Sequence, residues 1–317
     1  MKTKNRLLLT LLLATVLLMY IYNLLPAVIS WGPGPNYKNV SVRTTVNITD
    51  AMPIVYNVTC TNSTSSIILT AGLTQTVSCL VQILDYNGGN TIWTVNGTFY
   101  YSQNYSSNPD DNNTHYTNES CTENTTNGWY ANWTCTFDVL YYANNGTWKM
   151  TAIVRDNSTY NTSRHYVVNG TGNTTIAPLY ALNVTPVINF GDLAVGEGDL
   201  VDPIQANVTN FGNMNINVSV YGYGGDNQTL GANYAMLCEV RNLTLANERY
   251  SINPATAYGA MTPITGSRVH ITGLLVPQQI DDLNQVINTT YWRIYVNETI
   301  NPFGVCNGTV VFSAEAP

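Results

Sequence analysis

The chain has 317 residues, with 12 Lys or Arg against 19 Asp or Glu and a net charge of −7. Charged side chains make up 10% of it, well under half the usual level of roughly 25%, so Asn, Thr, Ser and Tyr carry the polarity. An acidic chain without a basic patch has nothing to neutralise phosphates, which excludes a nucleic-acid partner.

Lys2, Lys4 and Arg6 precede an uncharged apolar run from Leu7 to Ser30, and no further charge appears before Lys38. A basic flank followed by such a run is an export signal whose basic end stays in the cytoplasm. The run exceeds the roughly 7–15 residues of a signal-peptide core and approaches the ~20 that span a bilayer. Two readings stay open: a retained signal-anchor helix, or a signal peptide cut after Ser30. Either leaves residues 31–317 on the extracellular face of the membrane or secreted. A pilin-type signal is disfavoured because "KTKNR" offers no glycine before the run. The C-terminal "VVFSAEAP" holds no second span, so membrane attachment is expected through the N-terminal segment if it is uncleaved.

Beyond residue 31, short alternating segments are separated by Gly, Asn, Asp and Pro turns, the pattern of antiparallel sandwiches. "TVSCLVQILDYNGGN" (76–90) puts Val77, Cys79, Val81 and Ile83 on one face, and "NTIWTVNGTFYY" (90–101) reads as the returning strand. "WTCTFDVLYY" (133–142), the turn "ANNG" and "TWKMTAIVRD" (147–156) read as a second hairpin. Its last strand aligns Trp148, Met150, Ala152 and Val154 against Lys149, Thr151 and Arg155. A second unit begins near Leu182. "QANVTNFGNMNINVSVYGYGG" (205–225) reads as a hairpin with Asn-Phe-Gly-Asn at its tip. In it Ile216, Val218 and Val220 are expected inward, and Asn217 and Ser219 outward. "PQQIDDLNQVIN" (277–288) suits one short helix or turn, and "TTYWRIYVNETI" and "CNGTVVFSAEA" read as final strands. The expected architecture is all-β: an N-terminal hydrophobic helix (1–30), a first immunoglobulin-like sandwich with a polar insertion (31–180), and a second sandwich (181–317).

The succession "VRTTVNITDAMPIVYNVT", "TVSCLVQILDYNGG", "TCTFDVLYYANNGTWKMTAIVRDN", "INFGDLAVGE", "ANVTNFGNMNINVSVYGYG", "NTTYWRIYV" and "NPFGVCNGTVVFSAEAP" resembles a group of uncharacterised exported archaeal cell-surface proteins. The resemblance covers nearly all of residues 40–317. It implies tandem immunoglobulin-like domains in a cell-envelope, glycoprotein-like setting. It implies no reaction, no ligand and no functional residue.

About 23 asparagines stand in Asn-x-Ser/Thr, the acceptor pattern for N-glycosylation, against about eight expected from composition. Candidates run through the exported part: Asn47, Asn57, Asn96, Asn112, Asn118, Asn124, Asn132, Asn145, Asn169, Asn207, Asn217, Asn227, Asn242, Asn288, Asn297 and Asn307. Six cysteines without a Cys-x-x-Cys pair in an exported chain point to disulfides. In the second unit Cys238 has only Cys306 as a partner. In the first, Cys60, Cys79, Cys121 and Cys135 allow three connectivities. Cys79 sits where immunoglobulin-like domains often place a cross-sheet cysteine, but "TWKMTAIVRD" supplies no partner, which favours Cys60–Cys79 with Cys121–Cys135. The latter would staple the polar stretch 108–135, with Trp129 or Trp133 packing back on the sheet, and would contribute roughly 3 kcal/mol by loop closure.

No nucleophile elbow, zinc-protease motif or phosphate loop is present, and "YGYGGD" (221–226) reads as a loop, so neither catalysis nor a cofactor is expected. His115, His165 and His270 lack metal-ligand spacing and are expected at the surface. The nearest approach to a metal site is calcium at Asp110 and Asp111 in "NPDDNN", with "LDYNGGN" and Asp281–Asp282 further oxygen clusters. A solvated acidic turn accounts for each. The leading functional expectation is a structural cell-surface or secreted glycoprotein, whose partners are other cell-envelope proteins or glycans. The alternatives are an adhesin or carbohydrate-binding module using Tyr100, Tyr101, Trp129, Tyr130, Tyr141 and Tyr142, or a subunit of an extracellular filament.

Overall fold

The computed structural model of the chain describes residues 12–18, 41–47, 51–60, 66–157, 167–197, 202–281 and 284–317, which fall into two units, Met1–Ile48 and Thr49–Pro317. In the first unit residues 12–18 form a short helix, α1. Among the described residues no helix is long and apolar enough to cross a membrane. The rest of the Leu7–Ser30 run, on which the anchor and cleavage readings rest, lies outside the described residues.

The second unit is all-β and holds two immunoglobulin-like sandwiches. The first comprises β1 (Ile54–Cys60), β2 (Thr74–Leu84), β3 (Ile92–Tyr101), β4 (His115–Asn118), β5 (Thr122–Asn127), β6 (Tyr130–Leu140), β7 (Gly146–Asp156) and β8 (Val167–Ile176). One sheet runs β1-β2-β6-β5 and the other β4-β3-β7-β8, antiparallel throughout. The second sandwich comprises β9 (Leu182–Val184), β10 (Ile204–Asn210), β11 (Ile216–Gly224), β12 (Tyr234–Val240), β13 (Leu243–Thr244), β14 (Glu248–Ser251), β15 (Thr262–Pro263), β16 (Val269–Val276), β17 (Ile287–Ile294) and β18 (Phe303–Glu315). Its sheets run β15-β14-β17-β10-β9 and β13-β12-β18-β11-β16. A one-turn helix, α2 (Gln228–Gly231), is capped by Asn227, whose Oδ1 accepts the Thr229 and Leu230 amides.

Period-two alternation places the cores. Val77, Cys79, Val81 and Ile83 of β2 are buried, as are Trp148, Met150, Ala152 and Val154 of β7. Phe99 stacks on Trp148 at 4.8 Å and on Phe137 at 5.5 Å, joining the two sheets through aromatic area. In the second sandwich Trp292 meets Tyr250 at 5.4 Å and Phe312 at 5.8 Å. At one edge of the first sandwich β1 crosses so close to β8 that a Cβ on Gly172 would stand 2.1 Å from the Val58 carbonyl oxygen. No other residue fits there.

Three expected hairpins are not hairpins. β2 and β3 lie in opposite sheets, as do β6 and β7, and β10 and β11. Turn residues reverse the chain but do not choose the sheet that the next strand joins, and in each case the chain steps across the core. The 277–288 segment forms no helix over its described residues, Asp282 lying outside them. Ser219, expected outward, is 1% exposed because β16 and β18 flank it on a central strand, while Asn217 keeps partial exposure.

The Asn-Phe-Gly-Asn segment after β10 lies between the sandwiches. Phe211 donates its amide to the Ala181 carbonyl, and its own carbonyl accepts from Gly72. Asn213 accepts the Leu179 amide at 2.7 Å and donates to the Ala177 carbonyl at 3.1 Å. Asn210 donates to the carbonyls of Met214, Val276 and Pro277 and accepts the Gly212 amide. Both asparagines are fully buried. The Phe211 ring packs against Tyr141 of the first sandwich at 5.5 Å, and Gly72, at φ +68°, passes beneath it where a Cβ would fall 2.5 Å from the ring. Beside it Gln278 donates to the Tyr142 carbonyl at 2.7 Å, and the Tyr141 hydroxyl donates to Gln279.

One buried acid sets the pH response of the second sandwich. Glu248, 3% exposed, has its pKa pushed from 4.5 to about 8 by desolvation. The folded state therefore holds a proton that the unfolded chain releases, and stability falls as pH rises from about 4.5 to about 8. Glu248→Gln is expected to flatten that slope and to raise the melting temperature most at pH 8 and above. Melting curves across this range check it; an unchanged slope contradicts the assignment.

Candidate functional site

The polar stretch expected to display something is a folded part of both sheets of the first sandwich. His115–Asn118 form β4 beside β3, the chain crosses at Cys121, and Thr122–Asn127 form β5 beside β6. Cys121 bonds Cys135 of β6 while its amide donates to the Val95 carbonyl of β3, so this disulfide ties one sheet to the other. Cys60 bonds Cys79 directly across the β1–β2 ladder, and Cys79 is in register with Cys135 on its other side. Cys60, Cys79 and Cys135 thus stand in one row across three strands. Gly97 of the opposite sheet leaves room for the Cys135 sulfur, which a Cβ would approach to 3.0 Å. Cys238 bonds Cys306 across the β12–β18 ladder. Three disulfides belong with an oxidising, extracellular or secreted setting.

His115 departs from expectation. It is 1% exposed, with Nδ1 2.9 Å from Asp110 Oδ1 and Nε2 3.3 Å from the Ser106 carbonyl, and its ring stacks on Tyr100 at 6.0 Å. Polar neighbours in sequence disguised it; the aromatic side of β3 covers it. His270 is exposed, and His165 lies outside the described residues. Asp110 also accepts from Thr117 Oγ1 at 2.7 Å. Asp111 closes a turn, accepting the Asn113 amide on Oδ1 and Thr114 Oγ1 on Oδ2. Both carboxylates are committed to protein donors. Among the described residues no group of three His, Cys, Asp or Glu is arranged to hold a metal.

The loop is fastened to the joint between sandwiches. Asn113 is buried and donates to the Tyr142 carbonyl at 2.7 Å, the same oxygen that accepts from Gln278. The Tyr116 hydroxyl donates to the Asn112 carbonyl and accepts the Leu140 amide at 3.1 Å, and burial pushes its pKa up. Alongside runs an open depression of about 480 Å³ lined by Asp110, His115, Tyr116, Asn118, Glu119 and Asp138. Its wall is acidic and hydroxyl-rich.

The aromatic set expected to face sugars is largely interior. Tyr100, Tyr141 and Tyr142 are buried and Tyr101 packs on the core, leaving Trp129 and Tyr130 exposed. Trp133 is the tryptophan that packs back on the sheet, at 8% exposure. The exposed rings that complete a surface cluster lie elsewhere in the sequence. Tyr56 meets Tyr130 at 6.1 Å, and Tyr86 meets Trp129 at 5.7 Å. Tyr56 escapes alternation because β1 bulges between Val55 and Asn57, turning Tyr56 and Asn57 to the same side.

The acceptor candidates share one property. Asn47, Asn57, Asn124, Asn207, Asn227 and Asn307 are exposed. Asn96, Asn112, Asn118, Asn132, Asn145, Asn217, Asn242, Asn288 and Asn297 are partly exposed, and the side chain of Asn169 lies outside the described residues. Among the described residues the buried asparagines are Asn113, Asn210, Asn213 and Asn247, and each lies outside the Asn-x-Ser/Thr pattern.

No protein-family model matches the chain, and no curated protein matches it. Among solved structures, one similar to it is a chaperone–tip adhesin complex of CFA/I fimbriae, at 11% identity over 86% of this chain and 90% of that one, TM-score 0.29. Another is the CsuC–CsuE chaperone–tip adhesion subunit pre-assembly complex from Csu pili of Acinetobacter baumannii, at 12% identity over 79% and 97%, TM-score 0.29. A third is the C-terminal domain of the Streptococcus agalactiae AgI/II polypeptide BspA, at 9% identity over 82% and 96%, TM-score 0.21. Likeness at this level carries no argument about what the chain binds.

His115→Ala is expected to unfasten residues 102–117, seen as faster amide exchange there, with a stability loss of about 2 kcal/mol from the unpaired Asp110 and the vacated space. Calcium or a chelator should leave the melting temperature unchanged. A calcium-dependent rise of several degrees would show that Asp110 and Asp111 release their present partners for a metal.

Proposed function

We propose that the chain is a structural glycoprotein of the cell surface, of the exported archaeal kind that it resembles in sequence. It acts as a stiff two-sandwich element that presents N-linked glycans to the outside and carries out no reaction. The observation that supports this most is the division of the asparagines. Among the described residues those in the acceptor pattern keep solvent access, whereas the four buried asparagines, Asn113, Asn210, Asn213 and Asn247, are outside it. Asparagines outside the pattern, such as Asn87, Asn127 and Asn215, are exposed as well, but composition alone does not require every described acceptor to be accessible. Modification does, because an acceptor nitrogen must be reached and its sugar must lie in water.

Low charge fits the same reading. A surface with 10% charged residues stays soluble through hydroxyls and amides, and attached sugar supplies many more of both. The disulfides and the closed joint keep such a surface in one shape outside the cell. Partners under this reading are other envelope proteins or glycans, and the N-terminal segment is the membrane attachment if it is retained.

The test is the intact mass of the protein from its native source, before and after chemical removal of glycans. The expected result is a loss corresponding to several oligosaccharides, leaving a polypeptide that begins at Met1 or at Trp31. No loss of mass on deglycosylation contradicts the proposal.

A further inference from the structure

We propose that the outer face of the β1-β2-β6-β5 sheet is a seat for the protein's own N-linked glycans, with the first sugar on Asn132 resting on the Tyr130–Tyr56 ring pair. The proposal rests on the glycoprotein reading and adds where the sugar goes and what holds it.

Three acceptor asparagines converge on that face. Val81 and Ile83 of β2 and Ala131 and Trp133 of β6 point inward, so Gln82, Tyr130, Asn132 and Thr134 point outward. Asn57 donates Nδ2 to Gln82 Oε1 at 2.8 Å, Gln82 donates to Asn132 Oδ1 at 3.4 Å, and Asn132 donates Nδ2 to Thr125 Oγ1 at 3.0 Å. Asn124 donates Nδ2 to Thr134 Oγ1, the hydroxyl of the Asn132 acceptor triplet, at 2.6 Å. An uncharged row of amides and hydroxyls therefore crosses all four strands. Its acceptor nitrogens belong to Asn57, Asn124 and Asn132.

The rings stand beside this row. Tyr130 is two residues before Asn132 on the same strand, so the two side chains share a face about 7 Å apart along it. That separation matches the reach of an asparagine carrying one pyranose. Tyr130 is 49% exposed and Tyr56 is 49% exposed, edge to face with it at 6.1 Å. Two apolar rings left half in water on a sheet face, with hydrogen-bonding amides alongside, suit the C–H face and the hydroxyls of a neutral sugar. The surface is small and uncharged in its central row, which fits one or two sugar units better than a protein partner.

The attachment needs no catalytic group of this chain. In the transfer, Asn132 Nδ2 attacks the anomeric carbon of a lipid-phosphate-activated oligosaccharide. The new C–N bond forms as the anomeric C–O bond breaks, the lipid phosphate leaves with the electron pair, and one amide proton passes to a base of the transferring enzyme. Nδ2 keeps its second hydrogen, so the bond to Thr125 survives. The amide row and the sugar can coexist.

The experiment uses full-length protein from a host that glycosylates it. Site-resolved glycopeptide mass spectrometry gives occupancy at Asn57, Asn124 and Asn132, and melting curves compare wild type, Tyr130→Ser, Asn132→Gln and the double variant. The expected result is sugar on Asn132 and a melting-temperature loss from Tyr130→Ser about 3 °C larger with the glycan than in the Asn132→Gln background. Tyr56→Ser, on the edge strand, gives a second reading of the same coupling should Tyr130→Ser fold poorly. Asn132 bare while other acceptors carry sugar overturns the seat and leaves the glycoprotein reading standing. Equal losses with and without the glycan overturn the stacking. Sugar at no asparagine removes both.

Discussion

The two sandwiches act as one element because the backbone at their junction finds partners only in a docked arrangement. Ala177, Leu179 and Ala181 run as a connector whose amides and carbonyls would need water if the domains swung freely. Asn213 and Phe211 supply the missing partners instead, and Asn210 holds the corner that carries them. Burying unpaired amides and carbonyls costs about 1–3 kcal/mol each, so the contacts at this corner are made together or lost together. Phe211 against Tyr141 and Gly72 then adds apolar packing to a polar lock. The polar loop of the first sandwich joins the same lock through Asn113 and the Tyr142 carbonyl.

This arrangement bears on how a disulfide-bonded, two-sandwich protein keeps its shape without a large core between domains. Disulfides act within each sandwich: Cys60–Cys79 and Cys238–Cys306 each fix a ladder, and Cys121–Cys135 ties the crossing between the two sheets of the first sandwich. None of them crosses the junction. Orientation between the sandwiches thus depends on hydrogen bonds and one aromatic contact. The same division of labour separates two kinds of asparagine: those that complete buried backbone groups and those left on the outside, where the proposed sugars would sit.

Much of this was legible in the residue pattern. The inward rows of β2 and β7, the all-β character and the two-sandwich layout follow from alternation and turn chemistry. Strand partnership did not, because "ANNG" and "NFGN" mark reversals and leave open whether the chain returns in the same sheet or crosses the core. The Asn-Phe-Gly-Asn corner read as an ordinary turn, since its real partners, Gly72, Leu179 and Tyr141, are distant in sequence. His115 read as a surface residue because burial there comes from Tyr100 and the fold of the loop and not from its neighbours. Tyr56 was hidden by a one-residue bulge, which period-two reasoning cannot see. The interior aromatics, Tyr141 and Tyr142, looked like loop residues for the opposite reason. They follow β6 in sequence, and Tyr141 is covered by Phe211 and Gln279 of the second sandwich, with Tyr142 packed edge-on against it.

The central claim is that the sandwiches hold one orientation through the Asn210–Asn213 corner. A pulsed electron-spin distance measurement tests it most directly, with one label at Gln103 and one at Gln205 introduced by chemistry that spares the disulfides. The account predicts a single narrow distance distribution that broadens when Asn213 is replaced by Ala. A broad or multiple distribution in the unaltered protein would contradict it.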